Sequence, residues 1–318
     1  MNGTKPLTKP FENHLIPASI EIGTGTWQWG DTMVWGYGGS YGENEIHAAF
    51  QASLDAGINF FDTAELYGWG KSERFIGQFV AEQHPNIYIA TKFLPFPWRF
   101  TKAQLIAALS GSLKRLQMSS VDLYQIHWPM PPVRVETWAS ALADALDLKM
   151  TRAVGVSNYN RARTIRSYDA LQKRGYPLAS NQVEYSLLDR HIERDGTLQA
   201  CQERGVKVIA YSPLAKGLLT GKYTVENPPP GRRASGAKDA LAKIPPLLER
   251  MKALGEAHGG KTLAQVAVNW TICKGALPIP GAKNAGQVQQ NAGSIGWRLT
   301  ADEVAELDQI SDRLHRGG

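Results

Sequence analysis

The stretch "NFFDTAELYG", residues 59–68, sets a carboxylate, Asp62, where an apolar run stops and a phenol, Tyr67, five positions later. Polar and ionisable side chains recur at the ends of the apolar runs that follow. Lys92 nearly closes "IYIATKF", His127 lies at the end of "VDLYQIHW", and Tyr211 falls near the end of "KVIAYSP". Ser157 and Asn158 end "AVGVSN", and Gln182 lies within "ASNQVEY". Such groups are expensive to bury unless they are paired. A carboxylate, an ammonium and an imidazole on three successive runs therefore imply a polar cluster at one rim, made of types that exchange protons. Each alone is more often structural: a loop aromatic, a satisfied core histidine, an ion pair. Glu65, between Asp62 and Tyr67, reads as a bystander of that kind.

The elements that must gather these residues alternate along the chain. The runs at 58–62, 87–93, 121–128, 153–158, 179–185, 207–213 and 276–282 are apolar on both faces, as buried parallel strands are. "SIEIGTG" at 19–25 supplies an eighth. Helical stretches separate them. "ENEIHAAFQASLDAG" carries Ile46, Ala49, Phe50 and Leu54 on one face and is ended by Gly57. Thr101 with Gln104, Thr262 with Gln265 and Thr300 with Glu303 have capping-box spacing. Strand–helix alternation repeated about eight times predicts an α/β fold, a (β/α)8 TIM barrel formed as one domain by residues 1–318. In that fold, catalytic groups sit at the C-terminal ends of the strands.

Composition bounds the rest. Hydrophobic residues at 43% and charged residues at 20% suit a globular protein with a sizeable core. The formal charge of +6 is scattered apart from short groups such as Arg232-Arg233, which argues against nucleic acid as partner. Residues 1–14 lack an apolar leader, and no run is long enough to enter a membrane, so a cytoplasmic location is expected. Cys201 and Cys273 stand alone in helix-like segments, and the histidines lack metal-ligand spacing, so no disulfide and no metal are expected. "GTGTWQWG" begins Gly-x-Gly, but its third glycine falls too late for a Rossmann fingerprint, and no G-x-S-x-G elbow occurs. The Pro/Gly/basic segment 226–246 follows the seventh strand and reads as a loop on the catalytic face. It is either a mobile insertion or a flap over a phosphate-bearing ligand.

Taken in order, "NFFDTAELYG", "IATKF", "DLYQIHWP", "GVSNY", "NQVEYS", "YSPLAKGLLTGKY" and "IPGAKNAGQVQQNAG" resemble the successive signatures of the aldo-keto reductase family over nearly the whole chain. "TWQWGDTMVWG", "PWRF" and "SGSLKRLQMSSVDLYQIHWP" are most similar to a branch found in cyanobacteria and plastids. The resemblance implies an NADPH-dependent reductase of small-molecule aldehydes or ketones, with Asp62, Tyr67, Lys92 and His127 as its catalytic four. Lys92 would favour the phenolate of Tyr67, Asp62 would hold the ammonium, and His127 would position the carbonyl oxygen.

The same resemblance puts Ser157, Asn158 and Gln182 on the nicotinamide carboxamide, with Tyr211 stacked on the ring and Asp62 beside it. Ser212, Pro213, Leu214, Lys216, Gly217 and Leu219 would wrap the pyrophosphate, and Gly25, Thr26 and Trp27 would form an early contact segment. Ile279, Gly281, Ala282, Lys283, Gln287, Gln290 and Asn291 correspond to the adenosine 2′-phosphate side. Gln287 stands where many relatives carry arginine, so charge there falls to Lys283 and Lys216, and NADPH is expected with some tolerance for NADH.

Trp27, Trp29, Trp35, Tyr37, Trp98 and Trp128 all follow strands, and several of them are expected to line an aromatic substrate cavity. The chain ends soon after "TADEVAELDQI", which implies an open pocket without a long C-terminal specificity loop. Two alternatives stay beside the reductase: a cofactor-sensing regulatory subunit with little turnover, and a lyase using Lys92 as a Schiff base. Oligomeric state is left open.

Overall fold

A computed structural model describes residues 15–83, 86–234 and 236–316 of the chain. The stretch read above for a leader, residues 1–14, lies outside them.

The first half runs β1 (Thr24–Gly25), α1 (Glu43–Asp55), β2 (Phe60–Asp62), α2 (Lys71–Gln83), β3 (Tyr88–Phe93), α3 (Lys102–Leu116), β4 (Val121–Ile126) and α4 (Val135–Asp147). It continues through β5 (Thr151–Ser157), α5 (Arg161–Gln172), β6 (Ser180–Glu184), α6 (His191–Arg194), α7 (Thr197–Glu203) and β7 (Lys207–Tyr211). The last part holds α8 (Ala237–Lys243), α9 (Pro245–Ala257), α10 (Leu263–Cys273), β8 (Leu277–Pro278), α11 (Ala285–Ala292) and α12 (Ala301–Arg316). The strands form one sheet in sequence order, and each neighbouring pair is parallel.

The ends of the sheet meet. The amides of Gly23 and Gly25 donate to the carbonyls of Pro278 and Pro280 at 2.9 and 3.1 Å, and Gly25 pairs in parallel with Gly281. The curled sheet is thereby barrel-like, with helices around it. The closure also explains why β1 and β8 have two residues each, where the apolar runs predict seven. Pro278 and Pro280 have no N–H to donate, so only their carbonyls serve the ladder. Gly25 lies so close to β8 that an added Cβ would come within 2.7 Å of the Ile279 carbonyl oxygen.

Strand pleating sorts the side chains. Phe61, Ile89, Tyr124, Ile126, Val154, Val156, Val208 and Ala210 face outward into the core shared with the helices. Phe60, Ala90, Leu123, Ala153, Ile209 and Leu277 face inward and form a separate apolar plug with Ile16 and Ile20. Two residues further along, the same inward face carries Asp62, Lys92 and Gln125. The polar cluster therefore rests on an apolar floor inside the ring.

The local signals act as the sequence predicts. Thr101–Gln104 and Thr262–Gln265 close reciprocal capping boxes, Thr300 and Glu303 exchange the same two bonds, and Gly57 ends α1 at φ +74°. Segment 226–246 is partly helical rather than simply loop: it holds a 3₁₀ turn at Gly231–Ala234, all of α8 and the start of α9, where Pro245 suits the first helical position. Cys201 and Cys273 are free thiols in α7 and α10. No helix among the described residues is long and apolar enough to cross a membrane.

The C-terminal helix is tied in by a buried arginine. Arg190 makes a two-point ion pair with Glu193 at 3.1 and 2.7 Å and donates to Asp312 at 3.1 Å and the Asp308 carbonyl at 2.8 Å. Removing one partner from a buried network leaves the others uncompensated. Arg190→Met is expected to lower stability by about 3 kcal/mol, measured as a lower urea midpoint with unchanged slope; a midpoint equal to wild type would show that α12 is held by apolar packing alone.

Candidate active site

A cleft of about 1290 Å³ opens where the strands end at their C-terminal side. Beneath it lies the ion pair on which the cluster is built. The Lys92 ammonium donates to Asp62 Oδ1 at 2.5 Å, to the Thr63 carbonyl at 2.8 Å and to the Tyr67 phenol oxygen at 3.2 Å. Its three protons thus have three acceptors. Asp62 Oδ2 accepts from Gln182 Nε2 at 2.7 Å, so β2, β3 and β6 are joined through one carboxylate. Lys92 and Asp62 are both almost fully buried.

Burial and charge set the protonation states. Burial works to lower the Lys92 ammonium, but Asp62 and Tyr67 outweigh it and hold the group above its usual range, so it stays cationic. Burial raises the Asp62 carboxyl, opposed by Lys92, Gln182 and Gln125. Burial also raises the Tyr67 phenol, and Lys92 only partly offsets it. Lys92 thus acts in the direction that favours the anion, but burial outweighs it and the phenol stays protonated. His127 is pushed well below the usual imidazole range by burial and then by Lys92, so its ring is neutral. It meets the Tyr67 ring edge-on at 5.8 Å, and its Nδ1 is buried without a partner.

Of the expected residues, Gly25, Thr26, Trp27, Asp62, Tyr67 and His127 line the cleft, as do Ser157, Asn158, Gln182 and Tyr211. Ser212, Pro213, Leu214, Lys216 and Gly217 continue the wall, and Ile279, Gly281, Lys283, Gln287, Gln290 and Asn291 complete it. Leu219 and Ala282 do not face it. Both are wholly buried: Leu219 belongs to the outer core, and the Ala282 carbonyl accepts from Trp29 Nε1 at 2.9 Å. Asn158, Ser212, Ala215 and Lys216 all have positive φ, a cluster of strained non-glycine backbone at the rim. The Asn158 amide is already engaged, donating to the His127 carbonyl at 3.0 Å and accepting from the Tyr211 hydroxyl at 2.9 Å.

The aromatic residues divide. Trp27, Trp35 and Trp128 line the cleft, and Trp27 stacks on Tyr67 at 6.2 Å. Trp29 packs in the core against Phe61 and Phe79, Tyr37 packs on Tyr41 and Phe75, and exposed Trp98 stacks on Phe96. Glu65 has a structural partner: it pairs with Arg99 at 2.5 Å and accepts from the Leu94 amide at 2.8 Å.

The sequence reading passed over several residues. Gln125, fully buried next to Lys92 in the ladder, accepts from Ser180 Oγ at 3.3 Å and favours the charged form of Asp62. Its place two residues before His127 in an apolar run was a usable signal. Lys222 and Tyr223, on the connection after β7, also line the cleft with no periodicity to mark them, and so does Arg233 from the basic segment 226–246. Arg233 and Lys283 lie over the ring of Trp35, at 4.9 and 5.4 Å. Burial, with Arg233 and Lys222 nearby, lowers the Lys283 ammonium to about 8. Among the described residues no cluster of His, Cys, Asp and Glu could hold a metal ion.

The mouth of the parallel α/β ring thus gathers a phenol, a neutral imidazole and a buried lysine–aspartate pair. The family model "Aldo/keto reductase family" matches residues 21–312, and the chain belongs to that family. It is 39% identical to the chloroplastic pyridoxal reductase of Arabidopsis thaliana, over 95% of this chain and 87% of that protein. Among solved structures, the glycerol dehydrogenase AKR11B4 of Gluconobacter oxydans superposes with a TM-score of 0.82 at 29% identity, covering 94% of this chain and 93% of its own. An aldo/keto reductase of Klebsiella pneumoniae, solved with NADP and acetate, gives 0.72 at 29% identity, covering 92% of this chain and 91% of its own.

The buried pair yields a stability test. Lys92→Met would leave Asp62 buried without its cation, and a loss of about 3 kcal/mol is expected. Adding Asp62→Asn should recover most of that loss; a double variant as unstable as the single one would mean the cost is lost packing.

Proposed function

We propose that this protein reduces the carbonyl of an aldehyde or ketone using NADPH, with Tyr67 giving the proton. The observation that carries the reading is the Tyr67 phenol 3.2 Å from the Lys92 ammonium, beside neutral His127, at the wall of an aromatic-lined cleft. Because burial raises the phenol, Tyr67 enters the reaction with its proton in place. Once the proton has passed to the carbonyl oxygen, Lys92 stabilises the phenolate left behind, and Asp62 keeps Lys92 charged and oriented. His127, uncharged, can offer a hydrogen bond to the carbonyl oxygen without competing as an acid.

When bound, NADPH supplies the hydride that the carbonyl carbon receives. The chain's own groups suit that cofactor. Ser157 and Gln182 can hold the carboxamide; since Gln182 Nε2 already serves Asp62, its oxygen is the end left to accept. Tyr211 offers a face to the ring. The strained turn through Ser212, Lys216 and Gly217 presents backbone to the pyrophosphate. Arg233 and Lys222 lie close enough to Lys283 to add to burial in lowering its ammonium, a repulsion that a phosphate would relieve. Lys222 and Arg233 thus supply the charge that Gln287 lacks. Trp27, Trp35 and Trp128 favour flat or apolar substrates. Similarity to a pyridoxal reductase and a glycerol dehydrogenase makes pyridoxal-type aldehydes and small hydroxy-carbonyls the first to try.

Two measurements test the reading. Tyr67→Phe should lose at least about a hundredfold in turnover while NADPH fluorescence still reports binding; equal rates in both proteins would remove Tyr67 as the acid. Wild-type binding with negligible turnover over a broad carbonyl panel would instead favour a cofactor sensor. The second concerns Lys283. A bound phosphate raises an ammonium that stands at about 8 in the free protein. NADPH binding should then take up a proton near that pH, and affinity should fall as pH rises through it. Calorimetry in buffers of different ionisation enthalpy reads the proton; no uptake would place Lys283 away from the phosphate.

A further inference from the structure

Tyr67 lies between two contrasting stretches of backbone. After it, Gly68, Trp69 and Gly70 all have positive φ, at +56°, +57° and +83°. Trp69 is 73% exposed, so its side chain cannot anchor that strained turn by burial. Before it, the connection from Asp62 is held by Glu65. Glu65 Oε1 accepts from Arg99 Nη1 at 2.5 Å and from the Leu94 amide at 2.8 Å, while Oε2 accepts from Arg99 Nη2 at 3.2 Å. Arg99 Nη1 also donates to the Leu94 carbonyl at 3.0 Å, and the guanidinium lies over the rings of Phe93 and Phe96 at 5.0 and 5.1 Å. The side chains are only 9% and 21% exposed. Exposed ion pairs do little, but a two-point pair shielded from water fixes geometry.

The two ends of this pair belong to the segments that carry the reacting groups. Glu65 stands two residues before Tyr67, and Leu94 two residues after Lys92. The phenol–ammonium contact, at 3.2 Å, is the longest of the three that Lys92 makes, and so the most sensitive to a shift of the loop. We infer that Glu65 and Arg99 are positioning residues: their pair locks the Tyr67 loop to the end of β3 and keeps the phenol against the Lys92 ammonium. The inference rests on the reading of Tyr67 as proton donor. Neither residue lines the cleft.

The test compares wild type, Arg99→Met, Glu65→Gln, the double variant and Tyr67→Phe. Arg99→Met is expected to lower kcat about tenfold or more, since small misplacements near reacting groups are costly. KM for the aldehyde and the dissociation constant for NADPH should change little. A phenol moved from Lys92 loses the contact that lowers it, so the alkaline limb of the kcat profile should move to higher pH. Glu65→Gln should act in the same direction more weakly, because its amide oxygen still serves Leu94. The double variant should be no worse than Arg99→Met alone. A limb unmoved in both single variants would overturn the inference, leaving the pair a scaffold contact whatever its effect on melting. Should Arg99→Met fail to fold, the limb of Glu65→Gln decides. A fully active Tyr67→Phe would instead overturn the proton-donor reading on which the inference stands.

Discussion

The site depends on a charge that the protein can bury only by giving it partners. An isolated ammonium inside the ring would lose its proton or destabilise the fold. Lys92 avoids both because Asp62, the Thr63 carbonyl and the Tyr67 phenol accept its three protons, and Gln182 then takes the second oxygen of Asp62. Each partner comes from β2 or its following loop, or from β6, so the pair also fixes how those strands stand relative to β3. The chemistry and the packing of the mouth are one arrangement, and neither can be altered alone.

Strand pleating makes that arrangement accessible to a simple sequence pattern. Phe60 and Asp62, Ala90 and Lys92, and Leu123 and Gln125 each stand two residues apart on an inward face, with the apolar member deeper. The inner apolar residues exclude water from below, and the polar residues above gain electrostatic strength from that dry floor. The outward members, Phe61, Ile89 and Tyr124, seat the helices. One alternation thus builds the ring, insulates it and points its ionisable groups to a common rim.

This explains what the sequence made legible. The eight-run alternation, the capping boxes and the ionisable strand ends are local or strictly periodic signals, and they led to the strand order and to Asp62, Lys92 and His127. The shortness of β1 and β8 was hidden because it follows from closure, where Pro278 and Pro280 meet Gly23 and Gly25 across a gap of more than 250 residues. The direction of a loop side chain was hidden too. Trp29 and Trp35 follow the same strand and differ by six positions, yet one is core and the other lines the cleft. Glu65 looked incidental because its partner, Arg99, lies 34 residues away on a different loop. Composition marks the segment after β7 as unusual, but only its folded course shows that Arg233 returns to the rim.

The protonation states then bear on why a phenol is placed here at all. A donor must hold its proton until a carbonyl oxygen begins to gain charge, and must then release it without a large penalty. On the proposed reading, burial would meet the first need by raising Tyr67, and the Lys92 ammonium would meet the second by favouring the anion. His127 could not fill the same place, because burial and Lys92 together keep its ring uncharged. A single cation therefore acts on both groups: it adds to burial in keeping the imidazole uncharged and it favours the phenolate, and on the proposed reading it serves the phenol as the acid only while the loop carrying Tyr67 keeps it within reach.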